Sequence, residues 1–330
     1  MRTLIISLDI KLLEPHSAVA ARLCALGTST HQIDIIVPHT VTTQIVLSDF
    51  VTVYGVAGNK IQQFLAIITL GKKLRQTIPY DVITTQDPFF TAVCGLLIRT
   101  REIMQVQVHG DFFNRIFYTH NWKNYGYYWL ARIVVLPRAQ KIRVVGERVR
   151  QSLLTLGVSD SRIEKRAVTL APEAQAGFTP LKKTTQEFPG FRKYFVYVGR
   201  LEAEKNVAWL VEVFANYLAE TKQNDCLIML GNGSEYAKLQ KIITARGWQK
   251  NIIVAGYTAR PLDYIKTADC LLVPSRAEGY CLVAMEAHRL GTLVIMTDVG
   301  VANYELLPGE KVSIVPVDNQ AVFVAALKKI

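Results

Sequence analysis

Short apolar runs rich in Val and Ile alternate along this chain with longer stretches whose apolar residues recur at helical spacing. Such alternation predicts parallel sheets covered by helices on both faces, because a strand buried on both sides reads as an unbroken apolar run. In the first half, strands are expected at Leu4 to Leu8, Ile33 to Val37, Val82 to Thr85, Ile103 to Val108 and Ile142 to Val145, with helices between most of them. The pattern lapses after Ala171-Pro172, through Gly177, Pro180 and Pro189-Gly190, where both helix and strand propensity are poor. It resumes with strands at Tyr194 to Val198, Cys226 to Leu230, Ile252 to Ala255, Cys270 to Val273, Leu293 to Thr297 and Val312 to Val315. Between the first two of these, Val207, Leu210, Val211, Phe214 and Leu218 fall on one helical face. The expected fold is α/β, with a doubly wound domain over residues 1–175, a linker over 176–192 and a second doubly wound domain over 193–330.

Length supports that division: 330 residues, 50% of them apolar, are enough for two cores. The five cysteines, Cys24, Cys94, Cys226, Cys270 and Cys281, form no C-x-x-C pair, which argues against a disulfide framework or a zinc knuckle and for a reducing, cytoplasmic setting. The apolar opening is interrupted by Asp9 and Lys11 and reads as a strand, not a signal peptide. No apolar run is long enough to span a bilayer, so a soluble protein or one peripheral to the inner membrane face is expected. The net charge of +11 is uneven: residues 1–170 hold 20 Lys and Arg against 11 Asp and Glu, and residues 171–330 hold 18 against 16. An anionic membrane surface or a phosphate-bearing acceptor would account for this, as would a simple solvated surface.

In open parallel sheets ligands bind beyond the carboxyl ends of the strands, so the residues just after each strand are where chemistry is sought. Cys270 to Val273 runs into Pro274-Ser275-Arg276-Ala277-Glu278-Gly279-Tyr280-Cys281-Leu282 and then into a helix bearing Glu286. The amides of Gly279, Tyr280, Cys281 and Leu282 would lack partners inside that helix, and the helix dipole favours negative charge there, so a diphosphate is a natural occupant. Glu286 suits a pair of ribose hydroxyls and Glu278 the sugar beyond the phosphates; capping and solvation are the structural alternatives. The two carboxylates would stand about 12 Å apart on a continuous helix, too far for a facing hydrolytic pair.

These residues carry a resemblance. The run from Ser275 through Glu286 to Gly291 resembles the E-x7-E signature of the family-4 retaining glycosyltransferases of GT-B fold. Gly199-Arg200-Leu201 with Glu204-Lys205-Asn206 is similar to that family's strand-to-helix turn, and Gly231-Asn232-Gly233 to its G-x-G turn. The resemblance implies two Rossmann-like domains facing a cleft. It implies that Arg200 and Lys205 grip the donor diphosphate, that Glu286 binds the ribose and that Glu278 contacts the transferred sugar. Gly199, Gly231, Asn232, Gly233, Tyr257, Gly279, Tyr280, Cys281 and Leu282 complete the implied donor site. Two fixed cations near a leaving diphosphate are also what transition-state stabilisation demands.

In the first half Val106-Gln107-Val108-His109-Gly110-Asp111 resembles the family's histidine turn, implying that His109 lies near the transferred sugar with Asp111 orienting it; a core or capping histidine is the alternative. Arg143, in Arg143-Val144-Val145-Gly146, and Asp9, after the first strand, join them as acceptor-side candidates. Several positions depart from the family pattern. The turn Ser7-Leu8-Asp9-Ile10-Lys11 lacks glycines, Ala171-Pro172-Glu173 stands where an Asn-Gly pair is frequent, and Cys281 and Val301 replace common glycines. The family's crossover helices are expected to be missing after the helix Asn319 to Ile330.

No D-x-D occurs, so the expected reaction is metal-independent and needs no cofactor. By the resemblance, the expected reaction moves a hexose with retention from a UDP- or GDP-sugar to a glycan or glycolipid acceptor in cell-surface polysaccharide synthesis. The rival readings are a non-catalytic GT-B-like nucleotide-sugar or partner-binding protein, a GT-B-like epimerase or phosphorylase, and a nucleic-acid binder. For the last no recognised module is present, so nucleic acid is not an expected partner. Phe112, Phe113, Ile116, Phe117, Tyr118, Trp122, Tyr125, Tyr127, Tyr128 and Trp129, interleaved with Arg115, Lys123 and Arg132, suit domain packing, acceptor stacking or an anionic lipid surface.

Overall fold

The computed structural model describes residues 1–119, 122–166, 168–171, 173–174, 177–181 and 183–330. Pro172 and residues 175 and 176, at the expected end of the first domain, lie outside the described residues, as do the side chains of Ile116 and Phe117. The chain forms two compact units, one of residues 1–145 with 149–166, the other of 146–148 with 167–330.

The first unit is built on an eight-stranded sheet of order β3-β4-β2-β1-β5-β6-β7-β8. Its strands are β1 (Arg2–Ile6), β2 (Gln32–Pro38), β3 (Thr43–Ser48), β4 (Val51–Val56), β5 (Val82–Thr85), β6 (Ile103–Val108), β7 (Lys141–Val144) and β8 (Ile163–Lys165). All neighbours pair in parallel except β3 with β4. That hairpin was not expected. Its outer strand alternates half-buried and exposed positions, as an edge strand does, and so lacks the apolar run that marks a central strand. The first strand also ends earlier than expected, at Ile6, because Leu8 is exposed whereas Leu4 and Ile6 are fully buried. Leu12, Ile33, Ile35, Val37, Val51 and Val53 form part of the core.

The second unit carries a six-stranded, all-parallel sheet of order β11-β10-β9-β12-β13-β14. Its strands are β9 (Tyr194–Val198), β10 (Cys226–Leu230), β11 (Ile252–Gly256), β12 (Cys270–Val273), β13 (Leu293–Thr297) and β14 (Val312–Val315). The helix Val207–Thr221 buries Val207, Leu210, Val211, Phe214 and Tyr217, and with Phe195 and Phe323 they make an aromatic-rich core. Residues of the expected linker fold onto this unit. The Thr184 amide donates to Thr267 Oγ1 at 3.0 Å, and the Tyr264 hydroxyl donates to Glu187 Oε2 at 2.7 Å.

The order of strands positions the site. From β9 the chain moves outward through β10 to β11 on one side, then returns to lay β12 on the other side of β9. The strand order therefore reverses between β9 and β12, and the crevice beyond their carboxyl ends is where an open α/β sheet accepts a ligand.

Candidate functional site

Three strand-end turns meet at this switch point. After β9, the Gly199 amide donates to the Leu230 carbonyl at 3.0 Å and the Leu201 amide to the Asn232 carbonyl at 2.9 Å. After β10, the Gly231 amide donates to the Gly256 carbonyl at 2.7 Å. Gly231 has φ +142°, and a Cβ there would fall 1.9 Å from the Gly199 carbonyl oxygen; one at Gly233 would fall 2.3 Å from that of Leu201. The G-x-G turn is thus glycine because a neighbouring backbone occupies the space a side chain would need. The Tyr197 hydroxyl donates to the Arg200 carbonyl at 2.7 Å, and the Arg200 guanidinium, exposed, donates to Glu204 Oε1 at 2.9 Å.

Lys205 closes a short 3-10 turn, and Asn206, in the left-handed region at φ +57°, starts the helix that follows. Its Nζ donates to Glu278 Oε2 at 2.7 Å, and Ser275 Oγ donates to Glu278 Oε1 at 2.7 Å. The Lys205 and Glu278 side chains are 18% and 14% exposed, so the pair sits in a screened, largely desolvated place where charge interactions are stronger than at a surface. The loop after β12 is tied down further. The Arg276 amide donates to the Glu204 carbonyl at 3.0 Å, and Arg276 Nε reaches both oxygens of Asp318 at 3.0 and 2.9 Å.

The helix Leu282–Leu290 begins behind Cys281, which has φ +78°. A glycine would adopt that conformation freely, whereas a cysteine pays for its Cβ there. The left-handed turn swings the chain so that the first backbone bond is Ala284 N to Cys281 O at 3.2 Å, and the amides of Leu282 and Val283 have no acceptor inside the helix. The Tyr280 carbonyl accepts from the Val301 amide at 2.8 Å. Gly300, at φ +54°, packs so closely that a Cβ would lie 2.4 Å from the same oxygen. Burial pushes the Cys281 thiol well above its ordinary pKa, with Glu278 adding to the effect. Glu286 is partly buried and Oε1 accepts from the Ala171 amide at 3.5 Å; burial lifts its carboxyl above the ordinary range, opposed by that bond and assisted by Glu173.

The structure therefore brings together Gly199, Arg200, Lys205, Gly231, Asn232, Gly233, Glu278, Gly279, Tyr280, Cys281, Leu282 and Glu286 on the turns at one end of the second sheet. Tyr257, just beyond β11, is 75% exposed. Ser275, Thr297 and Gly300 were given no role from sequence. Ser275 orients Glu278, while Thr297 Oγ1 donates to the Ser275 carbonyl at 2.5 Å. The Thr297 contact joins separate strand ends, so no local spacing announces it.

In the first unit His109 follows β6, with Nε2 2.9 Å from Gln107 Oε1. His109 is exposed, yet its crowded surroundings and then Arg143 lower its pKa, with Asp87 opposing. Asp111 is buried, accepting from Ser152 Oγ at 2.9 Å and Asn114 Nδ2 at 3.2 Å. Asp9 accepts from the Lys11 amide at 3.1 Å, capping the turn that follows. Arg143, on β7, is itself held below its usual pKa by burial and by Arg166, with Glu164 opposing. Among the described residues no group of three or more His, Cys, Asp or Glu is placed to hold a metal ion.

Two family profiles match the chain and between them span most of it: "Glycosyltransferase Family 4" over residues 18–165 and "Glycosyl transferases group 1" over residues 180–330. Each half of the chain thus matches a glycosyltransferase family model. Among solved structures, sucrose-phosphate synthase from Thermosynechococcus elongatus superposes with a TM-score of 0.77 at 17% identity, covering 100% of this chain and 89% of that one. The lipopolysaccharide outer core galactosyltransferase WaaB gives 0.70 at 15% identity, covering 100% and 90%. Among curated glycosyltransferases, the capsular polysaccharide biosynthesis protein CapH of Staphylococcus aureus is 36% identical over 107 residues, 32% of this chain and 30% of its own length. An uncharacterized glycosyltransferase of Methanocaldococcus jannaschii is 26% identical over 183 residues, 56% of this chain and 44% of its own length. In both matches the chain spans less than half of the curated relative.

Proposed function

We propose that the protein is a retaining glycosyltransferase that moves a hexose from a UDP- or GDP-sugar to a glycan or glycolipid acceptor in cell-surface polysaccharide synthesis. The observation that carries this reading is the Lys205–Glu278 pair and, at the switch point of the second sheet, the start of the helix Leu282–Leu290, whose Leu282 and Val283 amides have no acceptor inside the helix. A diphosphate entering there meets the Lys205 ammonium and the positive end of the helix dipole. Arg200, whose present partner Glu204 is solvent-exposed, turns to it at small cost. Glu286 accepts from the ribose hydroxyls and Glu278 from hydroxyls of the sugar, and His109, Asp111, Asp9 and Arg143 of the first unit form the acceptor side.

In this reading the acceptor hydroxyl oxygen bonds to the anomeric carbon on the face from which the phosphate leaves. The bond from that carbon to the phosphate oxygen breaks, its electron pair stays on the departing nucleoside diphosphate, and the hydroxyl proton passes to that same oxygen. The protein stabilises the negative charge that develops there with Lys205, Arg200 and the helix amides in place of a metal ion. The names of the CapH and WaaB relatives, which speak of capsular polysaccharide and lipopolysaccharide, support an acceptor of the cell-surface class.

Thermal-shift screening against UDP, GDP and ADP, followed by NMR of the product formed with the matching nucleotide sugar, tests the proposal. Stabilisation by one nucleotide and a product that keeps the donor's anomeric configuration are expected. An inverted product overturns the retaining mechanism, binding without turnover assigns a carrier role, and no response to any nucleotide overturns the site itself.

A further inference from the structure

The helix Trp122–Trp129 and the π-helical stretch Leu130–Val135 that continues it have two unlike faces. Tyr128, Ala131 and Val135 are buried, whereas Trp122 (81%), Tyr125 (50%), Trp129 (38%) and Ile133 (60%) are exposed. Those four recur at the helical spacing that places them in one stripe on the solvent side. Two tryptophans, a tyrosine and an isoleucine in a line are far more apolar surface than a scattered exposed residue explains. Rings of the stripe also touch one another and their neighbours. Tyr125 meets Trp129 edge-on at 6.2 Å between ring centroids, Tyr128 meets Trp129 at 5.4 Å, and the Arg132 guanidinium lies 5.3 Å from the centre of the Trp129 ring.

Along the sequence, the stretch that carries the stripe has charge of one sign. Residues 112–146 contain Arg115, Lys123, Arg132, Arg138, Lys141 and Arg143 and no Asp or Glu. No helix among the described residues is long and apolar enough to cross a membrane. Amphipathic aromatic rings flanked by cations, on a helix too short to span, match the headgroup layer of a bilayer, where indole and phenol sit at the boundary of water and acyl chain and lysine and arginine reach phosphate.

We infer that this face is a docking surface for an anionic lipid bilayer, with the stripe from Trp122 to Ile133 entering the headgroup layer and Lys123, Arg115 and Arg132 meeting lipid phosphate. The inference stands apart from the catalytic reading, since none of these residues belongs to the proposed donor site.

Flotation of the whole protein with phosphatidylcholine vesicles, with and without a third of phosphatidylglycerol, tests it. Binding is expected with the anionic vesicles only, reduced at least fivefold by 0.5 M salt. It should fall at least tenfold in the double variant Trp122→Ser, Tyr125→Ser and severalfold in Lys123→Glu, while Leu307→Ser, an exposed apolar position of the second unit, floats as the parent does. Circular dichroism and melting confirm that each variant is folded; both altered aromatics are solvent-facing, so the fold should hold. Equal flotation with neutral and anionic vesicles overturns the proposal, as does a double variant that floats like the parent. So does a concentration-dependent dimer, lost in the double variant, with no vesicle binding, which would make the stripe a contact between two copies of the chain.

Discussion

Gly231 presses its α-carbon against the Gly199 carbonyl, so that a Cβ at position 231 would lie 1.9 Å from that oxygen. The contact locks the turn after β10 to the turn after β9. Because the neighbour is backbone and φ is +142°, nothing flexible can give way. Gly231→Ala should destabilise the second unit by about 3 kcal/mol, read as a lowered calorimetric transition. The same change at Gly126, where a Cβ would meet nothing within 4 Å, should stabilise its helix by about 0.5–1 kcal/mol. Equal effects at the two positions would contradict this account.

Lys205→Ala removes the cation nearest the proposed leaving group and strands Glu278 in a half-dry place. Turnover per donor bound should fall by about 10²–10³, the usual cost of removing one charge-stabilising group, and the nucleotide should bind more weakly. Lys205→Ala combined with Glu278→Gln should recover melting temperature, because no unpaired charge is left behind, without recovering activity. Steady-state kinetics and melting on the four variants of the cycle separate the two effects.

Glu286 supplies the pH dependence. Its folded pKa is raised by burial, so the charged form costs stability above the pKa of the unfolded chain, and that cost is relieved as pH falls through the folded value. The effect on ligand binding has the opposite sign. Only the carboxylate accepts strongly from two hydroxyls, so nucleotide affinity should decline as pH drops through a value above the ordinary carboxylate range. Calorimetry should show this limb in the parent and its loss in Glu286→Gln.

His109 should titrate below a free imidazole, since crowding and then Arg143 both disfavour its cation. Arg143→Gln removes the like charge and should move the His109 resonances to a higher midpoint in an NMR pH series. An unchanged midpoint would leave desolvation as the whole cause.

The second unit was legible in the sequence almost strand by strand, because its strands read as plain apolar runs, the central ones buried on both faces; β10 and β12 are buried at every position. The hairpin of β3 and β4 was not, because an edge strand with one wet face resembles a polar loop with apolar interruptions. Turn residues divided in the same way. Gly231 and Gly233 stand out as glycines in a recognisable spacing, whereas the left-handed backbone at Cys281 is hidden by an ordinary side chain. The hold of Gly300 and Val301 on the Tyr280 carbonyl joins segments about twenty residues apart, and no local pattern encodes it. Ser275 escaped notice because a hydroxyl acquires its role only from the carboxylate that folding sets beside it.

In the proposed reading, the ion pair that joins Lys205 to Glu278 also makes the crevice a discriminating one. A free phosphate or sulfate ion drawn to Lys205 would have to displace a carboxylate already in place and leave that carboxylate facing an anion. A ligand carrying hydroxyl groups just beyond its phosphates repairs the loss as it creates it, by donating to the freed Glu278. If the proposed donor site is right, small anions should bind there weakly and molecules that join a charged part to a hydroxylated one should bind well.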